Sequence, residues 1–186
     1  MKVKILWVLE VSLTYNSFGS MNLSEFLLEE HSKAQCLRVV SWIGKSQQRF
    51  DTLMKIFLGE DKKLVQRAAW PFSYAVQAHP PLLTKHLAAV IKKLEQPGLQ
   101  DAFKRNTVRA LEHISIPERL RGRLMNSCFN FITDIREKPA VKAFSLTILN
   151  KLADDYPEIR QELKTIIEER WDLESPAFRS RARKLL

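Results

Sequence analysis

Ala102-Phe103-Lys104-Arg105, Ala140-Val141-Lys142-Ala143 and Ala177-Phe178-Arg179-Ser180 open three segments that begin alike, 38 and 37 residues apart. Leu64-Val65-Gln66-Arg67 stands 38 residues upstream of the first. Prolines keep the same rhythm, with Pro81, Pro117 and Pro157 at intervals of 36 and 40. A period of this length marks a chain of stacked supersecondary units, none of which can bury its apolar face alone. Arrays of that kind work as extended surfaces.

Working outward from these openings, nearly every segment from Ser24 onward shows helical spacing. Phe26 and Leu27 lead into Ala34, Leu37, Val40 and Ile43, with Gly44 as a helix stop. Phe50, Leu53, Met54, Phe57 and Leu58 form the next stripe, ending at Gly59, so that 24–59 is a first helix pair. The second, 61–96, carries Leu64, Val65, Ala68, Ala69 and Phe72 around an internal Pro71, where one backbone hydrogen bond is lost and a kink is expected. Pro80-Pro81 then opens a helix bearing Leu83, Leu87, Val90, Ile91 and Leu94, which Pro97-Gly98 breaks. A third pair, 100–133, restarts at Pro117 and a fourth, 139–174, at Pro157, both read as first-turn prolines whose missing N–H costs nothing. Ser175-Pro176 opens a short basic cap, 176–186. No strand alternation is convincing after residue 20, so the class is all-α and 21–186 reads as one repeat domain.

Composition agrees. The 186 residues are 45% hydrophobic, enough for a sizeable core, and five glycines and eight prolines are too few for the dense turns of a sandwich or barrel. Cys36 and Cys128 lie on apolar helical stretches and read as reduced core residues of a cytoplasmic protein. No apolar run approaches the roughly 18 residues of a membrane span. Met1 to Leu13 is apolar with lysines at 2 and 4, but Glu10 interrupts it and no small-residue cleavage site follows. Met1 to Ser20 therefore reads as an extension outside the fold, with Met21 as a second start and Asn22 or Ser24 capping the helix after it. The net charge of +9 favours acidic partners and also simply aids solubility.

Helix pairs of 37 to 40 residues, a proline within one first helix and proline-led second helices resemble the HEAT and armadillo class. Tyr156-Pro157-Glu158-Ile159-Arg160 and Asp61-Lys62-Lys63-Leu64-Val65-Gln66-Arg67-Ala68-Ala69 carry the likeness best, and it extends over 24–186. The resemblance implies a right-handed α-α superhelix of about four helix pairs plus a C-terminal cap helix. Small bacterial HEAT-like proteins are also similar in Gln66-Arg67-Ala68-Ala69-Trp70-Pro71 and Lys104-Arg105-Asn106-Thr107-Val108-Arg109. Some of those carry an adenylosuccinate-lyase label, whose Gly-Ser-Ser and Met-Pro-x-Lys signature this chain lacks.

Catalytic chemistry finds little support. His31, His79, His86 and His113 make no metal-ligand spacing with Cys, Asp or Glu, so no metal or other cofactor is expected. No phosphate-binding glycine loop or nucleophile elbow is present. Asp154-Asp155 and Glu168-Glu169 are sequence neighbours and do not converge on a helix face. The sharper signal is positional: the repeat aligns Gln66, Lys104, Lys142 and Arg179 in one column and Arg67 with Arg105 in the next. With Arg109 one turn on, and Arg181, these suggest a basic ridge, Trp70 and Tyr74 nearby. Such a ridge suits a phosphate backbone with aromatics for stacking; alternatively, the cations snorkel over helix starts. Arg119, Arg121 and Arg123 spread around their helix as a solvated face. HEAT-like DNA glycosylases are similar in fold class and charge, and Asp101 and Trp70 are the residue types they would need, but nothing in the sequence makes the two converge. The reading is a monomeric, non-enzymatic protein-interaction or scaffold module with an unknown protein partner and no membrane, ahead of a nucleic-acid-binding module and, third, a repair glycosylase.

Overall fold

A computed structural model describes residues 22–185. The described residues form ten α-helices and one short 3-10 turn, with no strand. The expectation for Met1 to Ser20 lies outside them. The chain divides into two compact units, one ending at His86 and the other beginning at Leu87.

The first unit holds α1 (Leu23–Glu29), α2 (Lys33–Ile43), α3 (Gln47–Phe57), α4 (Lys62–Ala78) and the 3-10 turn Pro80–Leu83. Side-chain caps set the helix starts: Asn22 accepts from Ser24 N–H, Ser32 from Gln35, Ser46 from Arg49, and Asp61 from Lys63 and Leu64. The first helix expected from the sequence is thus two. Glu30 and Ser32 are extended, and the Ser32 cap restarts the helix. The restart changes the buried face: Cys36, Val39 and Ile43 point inward with Gln35, while Ala34 is exposed and Leu37 and Val40 are only half-buried. Gly44 ends α2 at φ 50, its N–H returning to the Val40 carbonyl at 3.0 Å. Helix α4 runs through the buried Pro71 without a break and packs on α1, α2 and α3. Its Phe72 stacks on Phe57 at 4.2 Å between ring centroids and lies 6.3 Å from Phe50, all three fully buried.

The second unit holds α5 (Leu87–Leu94), α6 (Asp101–Leu111), α7 (Glu118–Thr133), α8 (Pro139–Leu152), α9 (Glu158–Arg170) and α10 (Pro176–Ala182). The second sequence pair, 61–96, therefore contributes α4 to one unit and α5 to the other. Helix α8 lies at the centre, against α6, α7 and α10. Its sequence shows why: Val141, Ala143, Leu146, Ile148, Leu149 and Leu152 are buried around most of its circumference, the pattern of an enclosed helix. Pro139 and Pro176 occupy the first turns of α8 and α10. Pro117 and Pro157 instead stand one residue earlier, at the N-cap positions of α7 and α9.

Candidate functional site

The repeat column turns inward in the second unit. Lys104, on the first turn of α6, places Nζ 2.5 Å from the Glu137 carboxylate in the turn before α8. One repeat later, Lys142 on α8 places Nζ 2.6 Å from Glu174 in the turn before α10. Lys142 is 3% exposed, and Glu137 and Glu174 are buried with it. Each acid sits at the start of the next first helix, where the helix dipole favours negative charge; Glu137 also accepts the Lys138 N–H at 2.8 Å. Arg170 adds a second cation to Glu174 at 2.8 Å. These lysines were expected on a surface ridge. They clamp consecutive repeats because an acid follows each at a separation of 33 or 32 residues.

Other members of the expected ridge are placed as follows. Arg181 lies over the Phe144 ring at 4.7 Å and donates to Glu112 and to the Thr147 hydroxyl, so α10 reaches across α8 to the end of α6. Arg179 donates to the Trp171 carbonyl at 3.4 Å. Arg105 is exposed and Arg109 half-buried, both on α6. In the first unit Arg67 and Trp70 are half-buried on α4, and Trp70 makes edge contacts with Tyr74 at 6.1 Å and His31 at 6.0 Å. In the second arginine cluster Arg119 and Arg123 are exposed and Arg121 is half-buried; Arg123 makes a two-pronged pair with Glu95, and Arg121 lies 3.2 Å from Asp155.

Between the end of α6 and helices α8 and α10 lie two neighbouring cavities of about 390 and 410 Å³ that share Glu112, His113 and Lys151. The first has an apolar floor of Ile114, Ile116, Ile148 and Leu152, with Arg121 and Asp155 on its wall. The second is polar, with Asn150, Ser180, Arg181 and Lys184. Lys151 donates to the Glu112 backbone carbonyl.

Sequence spacing missed a polar hub in the first unit. Asp51 accepts from Lys85 at 2.8 Å, from Gln47 at 2.8 Å and from His86 Nε2 at 2.5 Å. Those donors, Lys85 foremost, hold the Asp51 carboxyl well below the usual carboxylate range. Asp51 and His86 stand 35 residues apart, so a search at helical spacing could not pair them. Glu137 and Glu174 were missed too, although their own separation of 37 repeats the period. Cys36 and Cys128 are buried and form no disulfide, and burial pushes the Cys128 thiol up to about 12. Among the described residues no group of three or more His, Cys, Asp and Glu side chains is arranged to hold a metal, and no helix is long and apolar enough to cross a membrane.

No curated protein and no solved structure matches the chain. The family pattern of the HEAT repeat domain matches residues 23–186, nearly the whole of it. With helix pairs that recur every 37 to 38 residues and lysine–glutamate joints in the same register, the chain belongs to the HEAT repeat domain family.

Proposed function

We propose that this protein is a non-enzymatic interaction or scaffold module whose partner is another protein. HEAT repeats as a class mediate protein–protein interaction. The observation that carries the reading here is the engagement of Lys104, Lys142 and Arg181 by Glu137, Glu174 and Glu112. Cations spent on internal carboxylates hold the repeats in register and are withdrawn from any phosphate backbone. Two buried cysteines without a disulfide fit a reducing cytoplasm, and we place the protein there as a monomer awaiting its partner.

A nucleic-acid-binding module is the second reading, favoured by the +9 charge and by exposed Arg105 on α6. Partner capture repeated at rising salt separates the two. A protein partner held by shape and apolar contact survives moderate salt, whereas affinity for duplex or single-stranded DNA falls steeply with it. Retention of a protein partner at about 0.3 M salt, with no DNA shift, supports the first reading; a salt-sensitive DNA complex abolished by Arg105→Glu replaces it with the second.

A further inference from the structure

The double cleft at the end of α6 has a charge imbalance that follows from its own ion pairs. Two carboxylates line it, and both are engaged: Asp155 by Arg121 at 3.2 Å, and Glu112 by Arg181. The other two cations, Lys151 and Lys184, are exposed, and neither is paired with a carboxylate among the described residues. Lys151 spends one proton on the Glu112 carbonyl and keeps two. Beside these ammonium groups lies the apolar floor made by Ile114, Ile116, Ile148 and Leu152.

We propose that this cleft receives an acidic peptide segment, its carboxylates on Lys151 and Lys184 and one of its aliphatic side chains on the isoleucine-rich floor. The proposal rests on the protein-interaction reading above and names the chemistry of the partner. An aliphatic group suits the first cavity, because burial over the floor of Ile114, Ile116, Ile148 and Leu152 is favourable. A peptide carboxylate suits the second, where ammonium groups and the Asn150 amide converge. Nucleic acid fits less well. Glu112 and Asp155 would face its phosphates, and among the described residues no Phe, Tyr or Trp lines either cavity to stack a base.

The test is selection from a displayed library of random dodecapeptides on the whole protein, followed by affinity measurements on the enriched peptides. Expected are sequences with Asp or Glu next to a Leu, Ile or Val, and a loss of at least about tenfold in affinity for Lys151→Glu and for Lys184→Glu, the effect of one charged hydrogen bond. Lys184→Glu is the safer variant, since Lys184 makes no side-chain hydrogen bond among the described residues; an unchanged melting temperature checks the fold of both. Enriched peptides without acidic bias, or acidic ones indifferent to both variants, overturn the cleft assignment while leaving the interaction reading intact. No enrichment overturns the cleft assignment as well, and partner capture then judges the broader reading independently. A short oligonucleotide that binds and is lost in both variants assigns the cleft to nucleic acid instead.

Discussion

Glu174 holds two cations on one oxygen, Lys142 at 2.6 Å and Arg170 at 2.8 Å, and this makes the joint asymmetric. Removing the acid by Glu174→Ala strands a lysine whose side chain is 4% exposed, the costly way to break a buried pair, at about 3–5 kcal/mol. Removing the lysine by Lys142→Met leaves Glu174 its arginine, and the expected loss is only about 1–2 kcal/mol. Urea unfolding of both variants checks the order; equal losses would show that Arg170 contributes nothing. Asp51 gives a pH dependence with a definite sign. Its folded pKa lies below its unfolded value, so the native state is favoured above pH ~4 and that contribution disappears as acid protonates the folded carboxylate. The acid limb of the stability curve should therefore be shallower in Asp51→Asn than in the parent, measured by denaturant midpoints between neutral pH and strong acid. Neither residue stood out in the sequence. The lysines did, because the repeat aligned them, but their burial depends on acids some 32 to 33 residues away that only packing brings close.

At the scale of elements, the helices were more legible than their ends. The stripes Phe50–Leu53–Met54–Phe57 and Leu87–Val90–Ile91–Leu94 are buried as their spacing requires. The division of α1 from α2 was not visible, because apolar residues continue on both sides of Ser32 and the cap depends on one hydroxyl turning toward the Gln35 N–H at 3.0 Å. Helix α10 shows what a short element needs. At seven residues it cannot persist alone in water, and it is held by the Ser175 cap and by Phe178 and Ala182, both fully buried in a unit where α10 packs on α8. Phe178→Ala should cost about 3–5 kcal/mol and Ser175→Ala about 1 kcal/mol. Hydrogen exchange read alongside unfolding distinguishes their routes: the cap variant frays the amides of α10 alone, while the core variant also releases those of α8.

For the whole molecule, a charge of +9 reads as an invitation to nucleic acid only if its cations are free. The repeat period led to the right register and the wrong exposure for Lys104 and Lys142, since adjacent columns face opposite ways: Lys104 inward to Glu137, Arg105 out to solvent. That contrast allows a test of what the global charge does. Each cation that neutralises a phosphate contributes about −0.9 to the slope of log affinity against log salt. We expect any association with duplex DNA to be confined to low salt, its slope reduced by about 1 in Arg105→Ala and unchanged in Lys104→Met, whose parent lysine is already neutralised by an internal acid. Duplex titrations of the parent and both variants at four or five salt concentrations provide the comparison. Should Lys104→Met reduce the slope as Arg105→Ala does, Lys104 must leave Glu137 on binding, and the joint between repeats would itself be part of the binding surface.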